Sequence, residues 1–314
     1  MSATTLPHQS RTRFIADGGL ETTLMFHEGV ELEYVAAFPL LDTEDGVAHL
    51  TAYFDTYFGI ARRDGVGLVL DTPTWRANPD WGTRLGYDAA ALDDINRRAV
   101  AFVKARAAAH PDVVTVTEGV IGTRGDGYVV GETMEPAEAA RYHAPQIRAF
   151  VDTGIDFVAA ITMTHAEETI GIVRAAQDTG VPVVVSFTVE TDGRLPSGTS
   201  LADAITAVDI ATDRGPAYYM INCAHPTHFT GALEPGGWLG RIKGIRANSS
   251  KMSHAELDEA PELDRGDPDD LAREYAALDD LLGGLAVAGG CCGTDSEHVS
   301  VISATLASRT RVEA

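Results

Sequence analysis

Cysteine is scarce in this chain: three thiols in 314 residues, an odd count that supports no disulfide framework and fits a reducing, cytoplasmic setting. No Cys-x-x-Cys pair occurs, so a thiol–disulfide oxidoreductase would have to use a strained vicinal disulfide. Long apolar runs are missing too. None reaches the roughly 18 residues of a transmembrane helix, and the N-terminus has no apolar signal core. Positive charge is in deficit, with 24 Lys and Arg against 46 Asp and Glu. The resulting formal charge of −22 argues against nucleic acid and anionic membrane as partners. No Gly-rich dinucleotide fingerprint follows the first apolar run, and no low-complexity linker or composition break divides the chain. What remains is an ordinary globular composition, 45% hydrophobic and 22% charged.

Residues 1–12, Ser/Thr-rich with Arg11 and no acid, read as an N-terminal tail. From residue 13 to 314, short apolar runs alternate with helical stretches. The runs are Phe14–Ala16, Val66–Leu70, Val113–Thr117, Phe157–Ile161, Val181–Phe187, Tyr218–Asn222, Arg241–Ile245 and one ending in Gly290. Between them, Glu44–Arg63 carries Leu50, Tyr53, Phe54, Tyr57 and Phe58 at helical spacing, and Asp88–His110 is helical by propensity. The acidic stretch Glu256–Asp270, with Pro261 and Pro268, reads as a solvated loop. Continuous apolar strands alternating with helices imply a parallel sheet buried on both faces. Eight such units in about 300 residues predict a single-domain (β/α)8 TIM barrel, whose active site forms where the strands end.

All three cysteines sit at such ends. Cys223 closes the sixth run, and Cys291 and Cys292 lie in Gly289-Gly290-Cys291-Cys292-Gly293-Thr294 after the eighth. A lone buried cysteine is most simply a small hydrophobe, but a turn of glycines and adjacent cysteines is poor core material. Strands six and eight are one strand apart around a barrel, so their thiolates can converge within the ~2.3 Å that zinc requires. Three sulfur ligands with an open fourth position describe a catalytic zinc. His225 and His228 are rival ligands, and His225 closing the site would make a non-catalytic zinc-binding protein. Zinc on three thiolates carries net negative charge and is a weak Lewis acid toward water. It would instead hold an incoming thiol as a thiolate, which suits transfer of an activated methyl group.

These motifs resemble the homocysteine S-methyltransferase family. The resemblance runs from Asp17 to the last helix and is carried by the Gly-Gly-Cys-Cys-Gly turn with Asn222-Cys223, by Asp17-Gly18-Gly19 with Glu21, and by Thr72-Pro73-Thr74-Trp75-Arg76-Ala77. Weaker matches are Ile121–Asp126, with Thr123 where proline is usual, and Ser186-Phe187-Thr188. It implies a (β/α)8 barrel, one Zn2+ on Cys223, Cys291 and Cys292, and methylation of homocysteine to methionine. Asp17, Glu21, Thr72, Trp75, Thr162 and Asn222 are then expected to bind substrate, with Trp75 able to stack on a cationic donor. One departure stands out: the family's amine-binding glutamate after the fourth strand is Ile161 here, which cannot pair with an ammonium. A thiol acceptor other than homocysteine is the alternative. The methyl donor, whether a sulfonium or a quaternary ammonium compound, and any homo-oligomer stay open.

Overall fold

Each of the eight runs becomes a strand, and each strand pairs in parallel with its sequence neighbours until the first closes on the last. A computed structural model describes residues 5–131, 133–260 and 262–309. The strands are β1 (Phe14–Ile15), β2 (Gly67–Asp71), β3 (Thr115–Ile121), β4 (Phe157–Met163), β5 (Val183–Phe187), β6 (Tyr219–Asn222), β7 (Ile242–Ala247) and β8 (Val287–Gly290). They form one closed barrel in that order. The helices among the described residues are α1 (Leu20–Phe26), α2 (Glu44–Asp64), α3 (Pro79–Arg84), α4 (Ala89–Ala109), α5 (Pro136–Thr153), α6 (Ala166–Thr179), α7 (Leu201–Ala211), α8 (Pro226–Phe229), α9 (His254–Asp258), α10 (Pro268–Leu281) and α11 (Ser296–Ala307). The (β/α)8 expectation holds.

Local chemistry sets the boundaries. Thr43 starts α2 by accepting from the Gly46 N–H, and Gly65 stops it in a left-handed conformation at φ 66°. Asp88 caps α4 on the Ala91 N–H, and Pro136 opens α5 where its missing donor costs nothing. The outer core lies between strands and helices, for example Ile121, Ile147, Phe150, Val158 and Ile172. The barrel interior is filled from below by Phe14, Val116, Phe157, Tyr218, Met220 and Ala286. Residues 1–4 of the expected tail lie outside the described residues. From Thr5 onward that segment is ordered against the barrel: Pro7–Gln9 form a 3-10 turn, and Leu6 is buried in the interior cluster.

Two boundaries differ from expectation in an informative way. β3 runs on through Glu118 to Ile121, and β7 runs on through Arg246 to Ala247. Both continue past a charged residue because the two charges meet inside the barrel, Arg246 Nη1 lying 3.7 Å from Glu118 Oε1. The acidic stretch is also more than a solvated loop. Ser253 and Glu256 form a reciprocal cap that starts α9, and Asp264 accepts from the Ser249 and Ser250 hydroxyls through its carbonyl and carboxylate. Pro261 lies outside the described residues.

Candidate metal and substrate site

The upper half of the barrel interior is polar, unlike the lower half. Arg246 reaches from β7 to Asp71 at the end of β2 and to Asp17 after β1, and its Nε donates to the Gly290 carbonyl at 3.4 Å. Asp17 also accepts from the Tyr53 hydroxyl at 3.1 Å. One guanidinium thus serves three buried acids. Burial, and then the Asp71 charge, hold the Asp17 carboxyl well above the usual range; burial and Asp71 do the same to Glu118. Glu118 Oε1 has no hydrogen-bond partner.

Above this cluster the three cysteines converge, their sulfurs all within 4.8 Å of one another. Cys223 leaves β6 with φ 54°, a conformation that a non-glycine residue adopts at a cost and that recurs at functional sites. Its N–H donates to the Arg246 carbonyl at 3.0 Å, which pins it to β7. Cys291 donates its N–H to the Ala247 carbonyl at 2.9 Å, and its own carbonyl accepts from the Thr294 hydroxyl at 2.7 Å. The turn then reverses at Gly293, φ 75°, bringing both adjacent thiols to one side. A side chain at Gly290 would collide with Thr294 at 1.9 Å, so the glycine is what lets the turn close.

The fit to a metal follows from this geometry and from the donor type. A tetrahedral ion about 2.3 Å from each sulfur needs sulfurs about 3.8 Å apart, so side-chain adjustment suffices. Among the described residues the cluster contains three thiols and no carboxylate, a set that suits zinc rather than magnesium or calcium. His225 and His228 are turned elsewhere: His225 Nδ1 caps α8 at Thr227, and His228 Nε2 lies 2.9 Å from the Lys251 carbonyl. The thiols share protons. Cys223 is pushed up by its hydrogen bonds to Cys291 and Cys292 and by burial, while hydrogen bonds with Cys223 and then Cys291 hold the Cys292 thiol well below its ordinary value. A cation binding there must displace those protons.

The remaining expected site residues divide by position. Asn222 is central: Oδ1 accepts from Thr162 N at 3.0 Å and from Ser186 Oγ at 2.7 Å, and Nδ2 donates to Thr162 Oγ1 at 2.8 Å and toward Cys291 Sγ at 3.8 Å. It ties β4, β5 and β6 to the thiols, and Thr162 beside it sits at φ 61°. Glu21, on the first turn of α1, feels the Cys291 charge; its pKa is pushed up to about 7, mostly by burial. Asp17 belongs to the Arg246 cluster. Thr72 bonds to Thr74 and to the Val120 N–H, fastening β2 to β3 rather than touching a sulfur. Trp75 donates from Nε1 to the Ile161 carbonyl at 3.4 Å, so the isoleucine and the aromatic are in contact.

Several residues at the site carry no sequence signal. Tyr128, on the β3–α5 loop, lays its hydroxyl 3.0 Å from Cys223 Sγ and 3.4 Å from Cys292 Sγ. Its ring packs on His254 at 4.4 Å, and Asn248 Nδ2 reaches Cys223 Sγ at 3.8 Å. Beside Cys292 a cleft opens between Thr22, Phe26 and Tyr128 on one side and Leu257, Leu263 and Asp264 on the other. The acidic stretch is therefore a wall of the site.

With that geometry in place, comparison with known proteins is direct. The profile described as homocysteine S-methyltransferase matches residues 14–306, the whole barrel. The chain belongs to the homocysteine S-methyltransferase family. It is 33% identical over 141 residues to a methionine synthase of Mycobacterium tuberculosis, and 34% over 134 residues to that of Mycobacterium leprae. Those stretches are 42% and 40% of this chain but only 11% and 10% of those much longer proteins. In fold it is similar to the homocysteine methyltransferase MmuM from Escherichia coli, with TM-score 0.74 for the oxidized form and 0.71 for the metallated form, both at 18% identity. The superpositions cover 96% and 95% of this chain and 98% and 97% of MmuM. At that identity the likeness speaks for the barrel. Among the described residues no helix of this family member is long and apolar enough to cross a membrane.

Proposed function

We propose that this chain is a zinc-dependent thiol methyltransferase, moving a methyl group from a sulfonium or quaternary ammonium donor to a thiol, with homocysteine giving methionine as the leading acceptor. The observation that carries this reading is the convergence of Cys223, Cys291 and Cys292 at the strand ends of a family barrel. These three would hold the ion, which when bound supplies a position that keeps an entering thiol deprotonated at neutral pH.

The chain's own groups supply the rest. Asn222 and Asn248 direct amide N–H groups at Cys291 and Cys223, which favours the charged sulfurs and fixes their direction. Tyr128 rests on two of the sulfurs, so its hydroxyl must yield before a substrate thiol takes its place beside them. The cleft beside Cys292, walled in part by Phe26, Leu257 and Leu263, offers the donor apolar surface next to the sulfurs. Aligning both substrates there converts a bimolecular encounter into a positioned one. In the chemical step the acceptor sulfur forms the new S–CH3 bond as the donor's S–CH3 or N–CH3 bond breaks. The bonding pair leaves with the donor, which becomes neutral, and the thiol proton goes to solvent.

The test is a matrix of thiol acceptors against sulfonium and ammonium donors, with methylated product followed by mass spectrometry in zinc-loaded protein. Methionine formed from homocysteine supports the reading. No methylated thiol with any donor, in protein holding one zinc per chain, would refute it.

A further inference from the structure

Arg76 has no role in the account above, yet its surroundings are those of a binding group without its ligand. Three arginines are deeply buried among the described residues: Arg13, Arg76 and Arg246. Arg13 is paired with Asp279, and Arg246 with Asp17 and Asp71. Arg76, 8% exposed, makes no ion pair among the described residues. Its guanidinium lies between two indoles, 3.8 Å from the Trp81 ring and 4.4 Å from that of Trp75. The one polar contact is Nη1 to the Gly125 carbonyl at 3.4 Å, and the buried Nε has no partner. A guanidinium has five donors in a fork that matches a carboxylate, and leaving it buried and unpaired is unfavourable. The indole faces hold the cation without using those donors.

Its location joins this free cation to the site. The indole beneath it donates to the Ile161 carbonyl, the next residue Thr162 is bonded to Asn222, and Asn222 reaches Cys291. The charges that act on Arg76 through space are Asp126, Tyr128 and Glu21, which favour its cation, and Arg84, which opposes it; Tyr128 rests on Cys223 and Cys292, and Glu21 feels the Cys291 charge. On this side the mouth therefore presents the buried Arg76 cation beside the apolar Ile161, with no carboxylate among the described residues within ion-pair distance of the guanidinium.

We propose that Arg76 binds the carboxylate of the thiol acceptor, so that the site selects a mercapto-carboxylate by its anionic end rather than by an amine. The proposal rests on the thiol-acceptor reading above and narrows it. Zinc-loaded full-length protein is titrated calorimetrically with homocysteine, with 4-mercaptobutyrate, which lacks the amine, and with 3-aminopropanethiol, which lacks the carboxylate. Wild type should bind both carboxylated thiols about tenfold to a hundredfold more tightly than the aminothiol, the span of hydrogen bonds to charged groups. Arg76→Gln should erase that preference by weakening only the carboxylated thiols, and Arg76→Lys should keep part of it. A wild type that binds the aminothiol as well as the others, or binds none of the three, overturns the proposal without any variant being made. So does an Arg76→Gln protein weakened equally toward all three. Carboxylate-selective binding without methyl transfer from any donor would leave Arg76 assigned and sink the methyltransferase reading alone.

Discussion

Replacing Arg246 with glutamine isolates the electrostatics beneath the thiols. The change leaves Asp17, Asp71 and Glu118 buried together with no cation among them. In the native protein Arg246 lowers all three, yet burial keeps each above its ordinary value. Without it, a further acid must fold protonated. An aspartate of ordinary pKa 3.8 held neutral costs about 1.4 kcal/mol for each pH unit above that value. That is about 5.7 kcal/mol near pH 8 and about 1.6 kcal/mol near pH 5. The sign follows from the direction of the shift: a group whose folded pKa is raised gives stability that is present below its ordinary pKa and lost as pH rises.

Removing one partner of a buried pair typically costs about 3–5 kcal/mol, so about 4–6 kcal/mol near pH 8 is expected for Arg246→Gln. With about 2.1 cal/mol/K of unfolding entropy per residue, that lowers Tm by about 6–9 °C. Near pH 5 the loss should shrink to about 1–2 kcal/mol. Urea unfolding of chelator-treated wild type and variant, followed by circular dichroism at both pH values, measures the difference without a metal contribution. An equal penalty at both, or a larger one at pH 5, would mean that Arg246 matters through packing and that the acid cluster does not carry the charge assigned to it.

Other outcomes follow from the same contacts. Cys223→Ala, Cys291→Ala and Cys292→Ala should each reduce bound zinc from about one per chain to nearly none with the circular dichroism unchanged; full retention in any of them excludes that ligand. Asn222→Ala strips partners from the Thr162 N–H and the Ser186 hydroxyl and should cost about 2–4 kcal/mol in denaturant unfolding; a loss under 1 kcal/mol would deny it the bracing role. Glu168, 2.9 Å from His143 Nε2 and 2.7 Å from the Arg124 N–H, is buried, which raises its pKa, but His143 and then Arg124 lower it further. Its contribution, about 1.5–3 kcal/mol, is present above the ordinary carboxylate range and lost below it, so Glu168→Gln should flatten the acid limb of the stability profile. Initial rates should give intersecting lines for donor and acceptor; parallel lines, or a methylated cysteine after incubation with donor alone, would contradict direct transfer.

What was legible in the sequence depended on whether a residue's meaning was local. Apolar runs and their helical spacers define the eight units, because burial on both faces of a strand writes itself into consecutive residues. The thiols were legible because cysteine is rare here and all three stand at strand ends. Glu118 and Arg246 were not. Each looks like a strand terminator, and only their meeting inside the barrel lets β3 and β7 continue through them. Tyr128 comes from a loop with no periodicity, and nothing in its neighbours marks it as the group resting on Cys223 and Cys292. His225 and His228 were plausible ligands by spacing alone; the cap on α8 and the Lys251 carbonyl occupy them.

The charge balance of the mouth explains why an unpaired arginine belongs there. Asp17, Asp71 and Glu118 lie beneath the thiols and share Arg246, and Glu21 feels the Cys291 charge. With the proposed zinc bound, three thiolates would add a further negative charge, and the chain as a whole carries −22. In the proposed reaction such a field would favour a cationic sulfonium or quaternary ammonium donor. It repels an acceptor that brings a carboxylate of its own. The two substrates of the proposed reaction thus make opposite demands on one cavity, and a uniform potential cannot meet both. The Arg76 cation, held against the rings of Trp75 and Trp81, would reverse the sign at one point of the mouth in the proposed reaction. Donor and acceptor can then be sorted to opposite sides of the sulfurs before any bond is broken.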